Sequence, residues 1–104
     1  MITDAEIKHA FYRAFTFQVL SVTRAIYIVR RSENLVELHV YNDRLLSEEE
    51  KDACYSIAGE MSGDFVGLEV QTQLLVDTQP FHEGKGPKDG LTVYGRYEYL
   101  LERT

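Results

Sequence analysis

The chain has 104 residues, enough for one domain with a continuous core, and we predict a single α+β domain over residues 1–104. Its 44% hydrophobic and 27% charged residues are typical of a folded globular protein and exclude a disordered or collagen-like chain. One cysteine excludes an internal disulfide, the N-terminal residues lack a signal-peptide pattern, and no apolar run approaches the roughly 20 residues that cross a bilayer. We therefore expect a cytoplasmic protein without a membrane partner.

The net charge of −6 originates in one third of the chain. Residues 45–79 hold eight acidic residues and one basic residue, Lys51, which gives −7, whereas residues 1–44 carry +1 and residues 80–104 carry 0. A concentrated negative field repels nucleic acid and attracts basic partners. The charge pattern therefore favours a basic protein partner for this segment.

Two capping boxes predict the starts of two amphipathic helices: Thr-Asp-Ala-Glu at residues 3–6 and Ser-Glu-Glu-Glu at residues 47–50. We expect the first helix to run to about Leu20 and the second to about Met61, where Gly63 is placed to end it. The apolar side chains predicted to pack inward are Ile7, Ala10, Phe11, Ala14, Phe15 and Phe17 in the first helix and Ala53, Cys54, Ile57, Ala58 and Met61 in the second.

Four stretches alternate apolar and polar residues with the period of a strand: residues 23–31, 35–41, 67–77 and 91–101. The turn residues 32–34 join the first two as an antiparallel hairpin. The order is α-β-β-α-β-β, so that a helix followed by a hairpin occurs twice. We predict two helices packed on one face of a mainly antiparallel four-stranded sheet, with the strand order left open.

No catalytic or metal-binding arrangement is evident in the sequence. Cys54 lies on the inner side of the second helix, where a thiol acts as a small hydrophobic side chain. His9, His39 and His82 are not at metal-ligand spacing. His39 could share the polar face of the sheet with Glu37, but we expect it to be a plain cross-strand surface residue. Residues 84–90 miss the P-loop spacing and precede a strand, which favours a lysine-bearing loop over a nucleotide site. We predict no enzymatic activity, no cofactor and no metal.

Acidic residues at the start of a helix are explained by capping and by the helix dipole alone. Tyr55, however, stands in line with Glu48 and Asp52 on the predicted outer side of the second helix. Tyrosine is a rigid anchor at interfaces, and acidic neighbours steer a basic partner towards it. The predicted partner-binding residues are Glu48, Glu49, Asp52, Tyr55, Asp64 and Glu69. A secondary candidate face comprises His82, Lys85, Tyr94, Arg96 and Glu98.

The run VELHVYNDRLLSEEEKDACYSIAGEMSGDF, followed by DTQPF and LTVYGRYE, resembles small bacterial immunity proteins of polymorphic and contact-dependent growth inhibition toxin systems. The positions that carry the resemblance are Tyr41, Asp43, Ser47 to Glu50, Asp64, Phe65, Pro80 and Tyr94. The resemblance implies a non-enzymatic protein that binds a cognate toxin. Many toxins are nucleases, whose clefts are basic because the substrate is a polyanion, and carboxylates can occupy such a cleft.

Our leading hypothesis is an immunity-type inhibitor that neutralises a basic, nuclease-like toxin through an acidic face. Two alternatives stay open: a general protein-interaction or regulatory module, and a small-molecule-binding protein or enzyme that uses a helix–sheet pocket with Tyr94, His39 or Arg96. A homodimer is also left open. Direct nucleic-acid binding is least favoured, because the basic residues available form at most a local patch: Arg13, Arg24, Arg30 and Arg31.

Overall fold

The computed structural model describes residues 2–16, 20–78 and 86–96. In chain order its helices and strands are α1 (Asp4–Phe15), β1 (Thr23–Ser32), β2 (Leu35–Asn42), α2 (Glu48–Gly63), β3 (Glu69–Val76) and β4 (Leu91–Gly95). Two helices and a four-stranded sheet make this an α+β fold, which confirms the predicted class.

The four strands form one mixed sheet in the order β3-β2-β1-β4. β1 pairs antiparallel with β2 and with β4, whereas β3 pairs parallel with β2. The prediction of a mainly antiparallel sheet with a second hairpin is therefore wrong, since β3 and β4 lie at opposite edges. A parallel pair needs a crossover connection, and here α2 is that crossover between β2 and β3.

Both predicted capping boxes are present, but α1 is shorter than predicted. It ends at Phe15 instead of about Leu20. Thr16 takes an extended backbone conformation with ψ 126°, and its hydroxyl donates a 2.8 Å hydrogen bond to the carbonyl oxygen of Tyr12. A threonine hydroxyl bonded to the preceding turn competes with continuation of the helix.

The second helix is longer than predicted. α2 includes Gly63 and is followed by Asp64 at its C-terminal cap. The glycine in the left-handed region is Gly67, with φ 82°, in the turn that precedes β3. The left-handed conformation that a helix-ending glycine usually takes therefore occurs in the turn before β3 and not at Gly63, which is the last residue of α2.

The hydrophobic core lies between the two helices and one face of the sheet. Ile7, Phe11 and Met61 are among its fully buried side chains, and most of the predicted inner faces are buried as expected. Phe15 and Ala53 are only half-buried, and Phe17 lies outside the described residues. β1 is buried on both faces, because Tyr27 and Ala25 form a small second cluster on the side away from the helices.

The segment that leads into β4 closes over this second cluster. Gly86 lies so close to the ring of Tyr27 that a Cβ on Gly86 would overlap the ring atoms. A side chain at this position would have to displace the ring of Tyr27, so glycine suits this close approach. β4 begins at Leu91 and its described part ends at Gly95, so that the predicted extension to residue 101 lies outside the described residues.

Candidate functional site

The exposed side of α2 carries predicted partner-binding residues at its N-terminal end. Glu48, Asp52 and Tyr55 occupy positions i, i+4 and i+7, which one side of a helix presents together. All three are exposed, with 88% of the Glu48 side chain and 49% of Tyr55 open to solvent. Glu49 is exposed beside them. We call these four residues the acidic face.

The other two predicted partner-binding residues lie elsewhere. Asp64 caps the far end of α2, a helix of 16 residues that spans about 24 Å. Its Oδ2 accepts a hydrogen bond of 3.5 Å from Nη1 of Arg13. Glu69 begins β3, where its Oε2 accepts a hydrogen bond of 2.5 Å from Nε2 of Gln71. Neither carboxylate belongs to the surface formed by the acidic face.

A bidentate ion pair lies at the start of α2. Both guanidinium Nη atoms of Arg44 donate to the Glu50 carboxylate, at 2.8 and 2.9 Å, and the backbone N–H of Ser47 donates to the same carboxylate at 2.8 Å. The Arg44 guanidinium, followed by the Ser47 backbone, lowers the pKa of Glu50 to about 2. Glu50 therefore serves the cap and not the outer surface.

Two of the three carboxylates of the acidic face, those of Glu49 and Asp52, point outward without an ion-pair partner in the described part of the chain, whereas the third, that of Glu48, lies near a lysine. Nζ of Lys51 lies 3.4 Å from Oε1 of Glu48, an exposed pair. Glu49 and Asp52 have no ion-pair partner among the described residues. The negative charge available to a partner therefore centres on these two residues.

A cleft of about 350 Å³ opens beside this end of α2. Its walls come from the turn before α2, from α2 itself and from β3: Asn42, Arg44, Leu45, Leu46, Lys51, Tyr55, Thr72, Leu74, Leu75 and Val76. Three large apolar side chains remain exposed around it, Leu45 by 79%, Tyr55 by 49% and Val76 by 46%. Sequence reasoning missed Leu45 and Val76, because the parallel pairing of β3 is what brings that strand's end beside α2.

The described part of the secondary candidate face is engaged within the chain. The ring of Tyr94 packs edge-on against Phe15, with ring centroids 5.2 Å apart, because a bulge between β4 and β1 turns this residue to the helix side. Nη1 of Arg96 donates to the carbonyl oxygen of Ser21 at 2.8 Å and to Oδ2 of Asp43 at 2.9 Å. The remaining members lie outside the described residues: His82, Lys85 and Glu98.

The expectation of a plain surface position for His39 is wrong. Its side chain is 13% exposed, and Nε2 lies 2.9 Å from Oε1 of Glu37, which also accepts a hydrogen bond of 2.9 Å from Nε of Arg31. His39 first, and Arg31 in addition, lower the pKa of Glu37. His39 alternates with the core residues of β2 and lies on the sheet face opposite to Tyr94, so the residues suggested for a helix–sheet pocket do not line one cavity.

Residues 4–98 match the family described as the MafI2 immunity protein. This range includes both helices and all four described strands. The chain belongs to the MafI2 immunity protein family. The match confirms the resemblance to bacterial immunity-type proteins of polymorphic toxin systems. No curated protein matches the chain.

The arginines considered for nucleic-acid binding are engaged within this MafI2-family chain. Arg30 donates to Oδ1 of Asp4 at 3.2 Å, and Arg13 and Arg31 pair with carboxylates as described above. Arg24 is 7% exposed. In the described part of the chain, three of these four guanidinium groups are paired with carboxylates, and the fourth belongs to a buried residue.

Cys54 is buried, with 5% of its surface exposed. Burial, with a smaller contribution from the Glu50 charge, raises the pKa of the thiol. Within the described residues of this MafI2 family member, no group of three or more His, Cys, Asp or Glu side chains is arranged to hold a metal ion. None of the described helices is long and apolar enough to cross a membrane.

Proposed function

We propose that this MafI2-family chain binds and neutralises a cognate protein toxin, catalyses no reaction itself, and contacts the toxin through the acidic face. The observation that carries the proposal is the exposed carboxylates of that face beside three exposed apolar side chains, Leu45, Tyr55 and Val76, in a member of an immunity protein family. Exposed apolar surface rimmed by polar groups is typical of protein–protein contact sites.

The charge of this surface selects a basic partner. Glu49 and Asp52 point outward, and the segment of residues 45–79 around them carries −7. A partner with a basic cleft is drawn to such a field, which raises the association rate more than the final affinity. A nuclease is the toxin class that this chemistry suits best, because carboxylates can take the places of substrate phosphates in its cleft.

The exposed apolar side chains supply the binding free energy that the charges alone do not. Surface ion pairs contribute little net free energy, whereas buried aromatic side chains dominate many interfaces. Tyr55 is half exposed and stands between the carboxylates and the cleft. We assign Tyr55 the role of central anchor, with Leu45 and Val76 as the apolar rim of its pocket.

A titration of toxin activity tests the proposal. Immunity proteins of such systems are often encoded beside their toxins, so the probe is the purified toxin domain sought in the neighbouring reading frame, here called the co-encoded toxin domain. It is assayed on its own substrate with increasing amounts of the chain. We expect activity to fall to the background at a one-to-one ratio, with the complex stoichiometry measured by sedimentation. Tight binding without loss of activity would instead indicate the general interaction module, and no binding would refute the proposed function.

A further inference from the structure

The two edge strands of the sheet, β3 and β4, differ in how readily another strand could pair with them. β4 carries a bulge against β1, whereas β3 has eight residues in unbroken register with β2. Within the described residues, no strand pairs with the outer edge of β3. A bulged edge hinders the addition of another strand, and a long regular edge favours it. The edge of β3 is thus the one suited to strand addition.

The register identifies the backbone groups at this edge. The N–H of Glu69 donates to the carbonyl oxygen of Asn34, and the N–H of Asp77 donates to that of Asn42, both at 2.8 Å. The odd-numbered residues of β3 therefore direct their N–H and carbonyl groups towards β2. Because these directions alternate along a strand of a parallel pair, the even-numbered residues direct their N–H and carbonyl groups outward, away from β2. The residues with outward N–H and carbonyl groups are Val70, Thr72, Leu74 and Val76.

The sequence of β3 lacks the devices that block such an edge. Lysine, proline and inward-pointing charges are the usual ones. The strand EVQTQLLV contains no Lys, Arg or Pro, and its one charge, Glu69, stands at its beginning. The cleft rimmed by Leu45, Tyr55 and Val76 borders the other end. Backbone groups, an apolar cleft and carboxylates are therefore contiguous along one side of the molecule.

We propose that an extended segment of the toxin, carrying basic side chains, adds to the outer edge of β3 as a fifth strand. The proposal rests on the proposed function and specifies how the partner is held. Successive side chains of the added strand point to opposite sheet faces. Those on the helix side meet the cleft and the acidic face, and the alternate ones lie beside Glu69, Gln71 and Gln73, which are exposed.

Charge favours the toxin over a second copy of this chain as the occupant. Edge-to-edge pairing of two copies would bring together two segments of residues 45–79, each with −7. Like charges placed together oppose association, whereas a basic strand gains steering from the same field. The backbone groups of β3 could form hydrogen bonds with a toxin segment or with a second copy of this chain, and the negative charge favours the toxin segment.

Amide hydrogen exchange on the unaltered chain, free and saturated with the co-encoded toxin domain, tests the proposal directly. We expect exchange at the outward N–H groups of Val70, Thr72 and Leu74 to slow by about tenfold or more on binding. The N–H groups of Gln71 and Gln73 bond to β2 in both states and serve as internal controls. Unchanged exchange at the outward groups of a saturated complex would refute strand addition and leave the proposed function standing.

A pair of substitutions at one position provides the second test. Thr72→Pro removes an outward N–H without removing a bond to β2, and proline is tolerated in edge strands. Thr72→Val keeps the N–H and removes a buried hydroxyl that has no hydrogen-bond partner among the described residues. We expect Thr72→Pro to bind the toxin about tenfold or more weakly than Thr72→Val does, since both variants lose the hydroxyl and only the proline variant lacks the outward N–H.

The outcomes of these experiments distinguish failure of the strand-addition proposal from failure of the proposed function. Equal toxin affinities of the two folded variants would refute strand addition. If Thr72→Pro does not fold, the exchange experiment on the unaltered chain decides alone. Concentration-dependent protection of the outward groups without toxin would assign the edge to a second copy and refute the toxin as occupant. Failure of the unaltered chain to bind the toxin domain would refute the proposed function itself.

Discussion

Charge reversal in the acidic face is the most direct test of how a partner is attracted. The double substitution Glu48→Lys and Asp52→Lys changes the net charge by +4, from −6 to −2, entirely at the N-terminal end of α2. Both side chains are exposed, and the contact that is lost is the pair between Glu48 and Lys51 at 3.4 Å. The variant therefore alters the field of this surface while leaving the core untouched.

The expected magnitudes separate binding from folding. An exposed ion pair contributes about 0–1 kcal/mol and a carboxylate in the first turn of a helix about 0.3–1 kcal/mol, so the melting temperature should fall by several degrees while the chain stays folded. Electrostatic steering contributes about 10- to 1,000-fold to association rates, and reversal of two of the nearest charges should lower the on-rate by about tenfold at low salt. At about 0.15 M salt the Debye length is roughly 8 Å, so the difference between the variant and the unaltered chain should shrink.

The assay is stopped-flow association with the co-encoded toxin domain at two salt concentrations. The matched control is Glu33→Lys with Asp89→Lys, which gives the same +4 change at two exposed positions. Glu33 lies in the turn between β1 and β2, and Asp89 precedes Leu91, which pairs with Ile28 near that same end of the sheet. Equal slowing in both double variants would show that only net charge matters and would refute the acidic face as the contact.

Three further predictions concern single residues. Tyr55→Ala should raise the off-rate of the complex by about 30-fold, the equivalent of about 2 kcal/mol for an aromatic anchor, and an unchanged off-rate measured by surface plasmon resonance would exclude that role. Cys54 should react with a thiol reagent slowly in the native state and rapidly in denaturant, since it is 5% exposed, and reaction within seconds in the native state would contradict its burial. Glu50→Gln should lower the melting temperature at pH 7, because the pKa of Glu50 is lowered in the folded state and its charged form stabilises the fold above pH 4.5. That difference should diminish as the pH falls from 4.5 towards about 2, and a difference independent of pH would refute the assigned ion pair.

The helix starts and the first hairpin could be predicted because their causes are local. Residues 3–6 and 47–50 contain within four positions both partners of each capping box. Residues 32–34 join two alternating runs that are adjacent in sequence and antiparallel in space. The end of α1 was less predictable, because the apolar periodicity continues past the point where Thr16 leaves the helical conformation.

The sheet topology could not be predicted, because its causes are distant in sequence. Whether β3 pairs with β2 or with β4 depends on which strands can bury their faces under α2, a property of the assembled layers. The side of the sheet on which Tyr94 lies could not be predicted either. Tyr94 pairs with Ile26, 68 positions earlier in the chain, and one bulge in this pairing moves the Tyr94 side chain to the other face of the sheet. The acidic face follows from helical periodicity alone, whereas the adjacent cleft requires the parallel placement of β3.

An edge of eight residues that pairs with no further strand of the described chain favours self-association, and charge can counter that tendency. The outer edge of β3 lies in the segment that carries −7, so two copies approaching edge to edge repel each other. The same negative field attracts a basic strand. The charge of this segment would therefore both attract the toxin and disfavour a second copy of this chain. Added salt should therefore act in opposite directions, weakening the association with a basic toxin while relieving the repulsion between copies, because screening reduces both interactions.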